Sequence, residues 1–310
     1  MSELDDFTSR RHPLSRYCRV IAHGRPGARC GLTIAGSTAY LGFFECPDDQ
    51  AVADELFGWA RETAGRAGCR EILGPVDASF WNRYRMKTDA FDQSAYFGEP
   101  RNPDYYPRLW ERAGFSVVQR YSSTIFPVVP RGYRNPRLTS RLEWARDNGF
   151  RVESLRMREW DDVFPRVHAL IMELYADMPV FQPLDLDGFA AVFGKLRLAA
   201  DPELITLAWQ GSELAAFSIV LPDFADLANP LRLLWRKHHY RRVVAAYMGA
   251  AVPGLGSALA ARLLAQAAER GLGFVGSLMA DGKPTAQYAN DLVAARQHYA
   301  LYGSSWNYTV

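Results

Sequence analysis

Four cysteines in 310 residues, with no Cys-x-x-Cys pair among them, leave this chain little sulfur chemistry. Cys18, Cys30, Cys46 and Cys69 lie far apart in the first quarter, a pattern that suits reduced thiols and argues against a disulfide frame or a zinc site. No apolar run approaches the roughly 18 to 20 residues that span a bilayer. The acidic start Met1-Ser2-Glu3-Leu4-Asp5-Asp6 has no apolar stretch behind it. An excess of one charge is missing too: 36 basic and 34 acidic residues give +2, which argues neither for nor against nucleic acid. Gly-x-Ser-x-Gly, a Walker loop and a Cys–His pair at a recognisable spacing are all absent. His238 and His239 are adjacent, so on a strand they point to opposite faces and do not chelate one metal. These absences predict a soluble, cytoplasmic protein with no metal and no membrane partner.

What the chain does have is a core. It is 48% hydrophobic and 13% aromatic, and its length suits two ordinary domains. The Pro-, Gly- and Arg-rich stretch Val129 to Pro136 marks the boundary between them. The expected division is 1–130, a linker 131–155, and 156–310. In the first half, Ala35 to Glu45 reads as a hairpin arm, and Val52, Leu56, Phe57, Ala60 and Ala64 share one helix face. A short strand (Glu71 to Leu73), a helix (Tyr105 to Ala113) and a strand (Phe115 to Phe126) follow. In the second half, strands at Leu204–Trp209 and Leu214–Leu221 precede a strand from Val243 to Met248. A helix with Leu255, Leu259, Leu263 and Ala267 on its buried face runs to Gly271, before a strand at Phe274–Leu278. A helix from about Ala286 to Tyr302 and a strand from Ser304 complete the expectation. The same order of elements occurs twice, which makes this a mixed α/β (α+β) chain of duplicated domains. An aromatic insertion between Val76 and Arg101 interrupts the first copy and packs between the domains or walls a pocket.

Ala250-Ala251-Val252-Pro253-Gly254-Leu255-Gly256-Ser257 joins a strand to a helix through two glycines. Such a turn lets an anion approach the backbone, and the first helix amides and the helix dipole favour negative charge. This turn, in this order of elements, resembles the GCN5-related N-acetyltransferase superfamily. Gly42-Phe43-Phe44-Glu45-Cys46, Gly74-Pro75-Val76-Asp77 and Asn102-Pro103-Asp104-Tyr105-Tyr106-Pro107 ending at Gly114-Phe115 are similar to a bacterial acetyltransferase-like group with two such domains in tandem. The likeness runs from about Gly31 to the end. It implies, for each half, a mostly antiparallel sheet flanked by helices and splayed at one point, with an acyl-CoA or other pantetheine thioester in the opening. Val252, Gly254, Leu255, Gly256 and Ser257 would then hold its pyrophosphate. Tyr299, four residues before Gly303, or Tyr302 would protonate the departing thiolate, which a hydroxyl of pKa about 10 can do. Tyr175, Asp177 and Phe181 would touch the acceptor, although packing explains them equally well. The family's usual Arg or Gln three residues before the first glycine is Ala251 here, so one side-chain contact to phosphate is missing.

The corresponding first-half junction, Glu45-Cys46-Pro47-Asp48-Asp49, has no glycine and two aspartates. Each like-charge contact with a pyrophosphate costs ~4 kcal/mol at 4 Å and an effective dielectric near 20. The donor therefore belongs to the second half. Arg232, Arg236, Lys237, Arg241 and Arg242 form a basic run just before the donor strand. It suits a coenzyme phosphate, an acidic carrier protein or a tRNA, or else it is simply a solvated face. The reading is acyl transfer from acyl-CoA to a small-molecule amine. Two others stay open: the same fold with an acyl-carrier-protein or aminoacyl-tRNA donor, and an inactive, ligand-binding pair.

Overall fold

The computed structural model describes residues 2–223, 225 and 240–306. After α1 (Glu3–Thr8), the first half runs β1 (Val20–Arg25), β2 (Ala28–Ala35), β3 (Thr38–Glu45), α2 (Gln50–Arg66) and β4 (Glu71–Gly74). Three short strands follow, β5 (Val76–Asp77), β6 (Arg83–Tyr84) and β7 (Met86–Lys87), then α3 (Tyr106–Arg112) and β8 (Ser116–Val128). The stretch 131–155, expected as a linker, holds α4 (Pro136–Asp147) and β9 (Phe150–Ser154). Helices α5 (Trp160–Leu174), α6 (Leu186–Phe193) and α7 (Leu196–Ala199) precede β10 (Ile205–Gln210), β11 (Glu213–Pro222) and β12 (Arg242–Ala250). The chain then forms α8 (Leu255–Arg270), β13 (Gly273–Ala280) and β14 (Ala295–Ser305).

One mostly antiparallel sheet carries both halves. Its strand order is β1-β2-β3-β4-β14-β8-β13-β12-β11-β10-β9. Each half contributes one parallel pair crossed by a helix: β3 with β4 over α2, and β12 with β13 over α8. Both helices bury a stripe at helical spacing, Ala53, Leu56, Phe57, Ala60 and Ala64 on α2 and Leu255, Leu259, Leu263 and Ala267 on α8. Asp49 caps α2 by accepting from the amides of Ala51 and Val52, and Gly271 ends α8 in the left-handed region at φ 62°.

The last strand corrects the sequence reading. Residues 295–305 form β14, not the end of a helix. It lies between β4 of the first half and β8, while β8 pairs on its other side with β13 of the second half. As an inner strand it is buried on both faces: Tyr299 and Leu301 enter one core, and Ala300 and Tyr302 enter the other. Burial on both faces removes the polar alternation that identifies a strand, so tyrosines three apart read as a helix stripe. The aromatic insertion packs between the halves, with Phe80, Trp81 and Tyr84 in one cluster with Leu170, Ile171, Tyr175 and Phe217.

Candidate functional site

β12 and β13 pair only from Arg242↔Gly273 to Ala245↔Gly276, and then they part. Three features hold the strands open. The ladder with β11 passes from Ile219↔Tyr247 to Val220↔Ala245 and so skips Ala246, a bulge that bends β12. Ser277 Oγ donates to the Ala245 carbonyl at 2.7 Å. Leu278 adopts φ 52°, rare for a side chain of its size, and its amide donates to Ser123 Oγ at 2.9 Å. The result is a cleft of about 700 Å³, with Ala246 to Ala250 on one wall and Gly276 to Ala280 on the other.

The glycine turn closes one end of this cleft. Gly254 is the N-cap of α8 at φ 97°, with no side-chain cap, so the amides of Gly256 and Ser257 have no acceptor among the described residues. The Leu255 amide is different: it donates to the Val252 carbonyl at 3.2 Å and closes the turn, so it is not the phosphate donor expected of it. A methyl group at Gly256 would lie 3.2 Å from the Tyr288 hydroxyl. That hydroxyl accepts from Ser257 Oγ at 3.2 Å, which leaves its own proton uncommitted. On the outer side of the turn, Arg141 of α4 comes within 3.7 Å of where a Gly254 Cβ would stand. Arg141 is exposed, and it has no carboxylate partner among the described residues. Its position was not legible in the sequence, because α4 lies more than 100 positions upstream and in the expected linker.

The first half's equivalent opening is filled by its own chain. β3 and β4 pair from Thr38↔Glu71 to Tyr40↔Leu73, and beyond that β5 lies against Gly42 so closely that a Cβ there would meet the Val76 carbonyl at 2.0 Å. The Phe43 amide donates to the buried Asp77 carboxylate. Burial raises the Asp77 carboxyl above its usual range, against the pull of Arg83. Asp49 is used as a helix cap, Asp48 pairs with Arg108, and Glu45 binds Arg29 Nε at 2.8 Å.

The tyrosines singled out as proton donors do not reach the cleft. Tyr299 is 1% exposed, and its hydroxyl donates to Glu99 Oε1 at 2.6 Å, where Lys87 Nζ also binds at 2.8 Å. Burial first, then Tyr96 and Glu99, push this hydroxyl far above its ordinary range. Tyr302 packs in the first-half core against Trp110 and donates to Glu111 at 3.1 Å, and burial raises it as well. A helix would have carried both toward the donor; a central strand carries them into the two cores.

Of the acceptor candidates, Tyr175 lines the cleft and donates to the Met248 carbonyl of the donor strand at 3.1 Å. Phe181 stands behind it against Phe80 and Trp81, with ring centroids 5.3 and 5.5 Å away. Asp177 is exposed and does not line the cleft. Tyr84 and Tyr96 of the aromatic insertion line the cleft, one of the two roles expected for that insertion, and Arg85, which the sequence did not single out, lines it with them. The basic run is only partly described. Arg232, Arg236, Lys237, His238 and His239 lie outside the described residues. Arg241 is exposed, and Arg242 binds Asp223 at 2.6 Å. Arg242 begins the 9-residue β12 and the turn follows its end. Roughly 25 Å of extended chain therefore separates them, and Arg242 is not beside the donor's phosphates. Among the described residues no group of His, Cys, Asp and Glu could hold a metal. No helix of the described residues is long and apolar enough to cross a membrane.

No protein-family model matches the chain, and no curated protein matches its sequence. Its fold does match solved structures. One is a fungal multi-domain β-N-acetylglucosaminidase with a GCN5-related glucosamine N-acetyltransferase region, at 12% identity and TM-score 0.54 over 89% of this chain. This chain spans 31% of that protein's length. Another is a GCN5-related N-acetyltransferase from Sphaerobacter thermophilus, at 11% identity and TM-score 0.50 over 90% of this chain and 76% of its own. At such identities the likeness concerns the fold alone, and the fold is that of the GCN5-related N-acetyltransferases.

Proposed function

We propose that this chain, on its GCN5-related N-acetyltransferase fold, is an N-acyltransferase that moves an acyl group from a pantetheine thioester to a small amine in the second-half cleft. One observation carries the reading: the parted strands β12 and β13 open onto the free amides of the Gly254 turn, whereas the matching first-half opening is filled by β5. On this reading residues 1–130 are a structural half and the donor-binding half follows. In the reaction, the lone pair of a neutral amine attacks the thioester carbonyl and the C–S bond breaks. The backbone at the Ala246 bulge faces the developing oxyanion. Among the described residues that line the cleft none is Asp, Glu or His, so on this reading the amine's proton leaves to water. Tyr288, with its proton uncommitted beside Ser257, is a further hydrogen-bond donor to the pyrophosphate, and the departing thiolate takes its proton from water. Val252, Gly254, Gly256 and Ser257 hold the pyrophosphate, and Arg141 supplies from α4 the side-chain contact that Ala251 lacks.

Calorimetry against acetyl-CoA, longer acyl-CoAs and a loaded acyl carrier protein tests this reading. Saturable acyl-CoA binding with thioester-dependent product supports it. Binding of the carrier protein or of an aminoacyl-tRNA alone transfers the donor role to those molecules. Binding to none of them removes the donor site.

A further inference from the structure

Arg85 lies between two short paired strands, β6 and β7, and reaches the cleft. Its backbone is at φ 85°, a conformation that costs a non-glycine residue roughly 1–3 kcal/mol. The pairing of β6 with β5 and of β7 with β14 holds it there. The guanidinium stacks 3.8 Å from the Tyr84 ring centroid and 4.3 Å from that of Tyr121, and it donates to the Tyr84 hydroxyl. Its charge is felt at Tyr96, Tyr175 and Tyr247 as well. Its Nε is buried without an acceptor, and no carboxylate among the described residues pairs with it. Its neighbour Arg83 is already neutralised by Asp77 at 2.6 Å and Glu3 at 3.3 Å. Among the described residues, the charged ones that line the cleft are Arg83, Arg85 and Lys283, all basic.

A half-buried guanidinium stacked on aromatic faces, in a cleft whose described lining carries no acidic side chain, awaits an anion from its ligand. We infer that the acceptor is an anionic amine, whose carboxylate or phosphate binds Arg85 while its amine meets the thioester. The inference rests on the acyl-transfer reading. It also fits the chemistry: a cation close to the acceptor disfavours its ammonium form and so enriches the neutral nucleophile. Tyr84, Tyr175 and Tyr247 leave room for an apolar or aromatic body between the two groups.

The test uses acetyl-CoA with matched acceptor pairs: phenylalanine against its carboxamide, and phosphoethanolamine against ethanolamine. The first pair reads a carboxylate and the second a phosphate. Wild type favours the charged member of at least one pair by about tenfold or more in kcat/KM, the scale of a charge-assisted hydrogen bond. Arg85→Gln and Arg85→Gly, the latter free of backbone strain, erase that preference by raising the acceptor KM and leave the acetyl-CoA KM unchanged. Equal rates within both pairs, or a rise in the acetyl-CoA KM instead, overturn the inference. Calorimetry with N-acetylphenylalanine and its amide, and with the N-acetylated second pair, provides a reading independent of turnover. A preference for an anion that the Arg85 variants lose, without thioester-dependent product from any acceptor, keeps the anion site and refutes acyl transfer. No preference in binding overturns the anion site.

Discussion

Two tyrosine hydroxyls lead to opposite expectations. Tyr288→Phe removes the proton beside Ser257 and is expected to weaken acyl-CoA binding about tenfold or more, the scale of a hydrogen bond to a charged group, with kcat little changed. Tyr299→Phe acts on stability instead. Glu99 Oε2 already lacks a partner, and the substitution removes a further bond from that buried carboxylate, at about 1–3 kcal/mol. Denaturant midpoints, acyl-CoA binding isotherms and steady-state rates of the two variants, compared side by side, check both expectations. Arg141→Ala is expected to weaken acyl-CoA binding roughly twofold to fivefold, as for an exposed ion pair, without moving the melting temperature. A buried cluster sets the acid limit. Burial works against the Asp201 carboxylate, but bonds from Tyr240 at 2.6 Å and Arg270 at 2.9 Å win and hold it below its ordinary value. A carboxylate lowered in the folded state gives its full stability above the unfolded value of 3.8 and loses it as pH falls through the folded one. Asp201→Asn is therefore less stable at neutral pH, and its stability falls less steeply below about pH 4, as urea titrations across that range will show.

Among the elements, the paired crossovers were the most legible. The stripes of α2 and α8 and the turn at Gly254 follow from spacing and glycine, and they stand where the sequence places them. The strand β14 was not legible, because a strand covered on both faces has no polar phase to reveal it. The expectation that the first half holds no donor rested on Asp48 and Asp49; in the structure β5 also packs into that gap against Gly42. No local pattern announces that a loop will fold back into its own sheet. Gly42→Ala sets a methyl against the Val76 carbonyl and is expected to cost about 1–3 kcal/mol by overpacking, while acyl-CoA affinity stays as in wild type. A melting curve and a binding isotherm on the same sample check that separation.

At the scale of the molecule, β14 ties the halves together. It completes β4 of the first half, and its other neighbour β8 completes β13 of the second. The residues that carry this exchange lie far apart in sequence, and β14, from beyond residue 130, sits between two strands that precede it. A fragment of residues 1–130 lacks β14 and leaves both β4 and β8 with an open edge. That fragment is expected to aggregate or stay unfolded, whereas the whole chain unfolds in one transition by both fluorescence and circular dichroism. The same exchange brings first-half residues Tyr84, Arg85 and Tyr96 to the wall of a second-half cleft. The aromatic insertion hinted at such sharing, but nothing local marked Arg85 as part of the wall.

The central claim is that one half binds the donor and the other cannot. Hydrogen exchange with and without saturating acetyl-CoA tests it most directly. The account predicts slowed exchange at residues 246–258 and 277–288, around the parted strands and the Gly254 turn, with no change at residues 42–52. Slowed exchange at the Glu45–Asp49 junction, or none at the Gly254 turn, would contradict it.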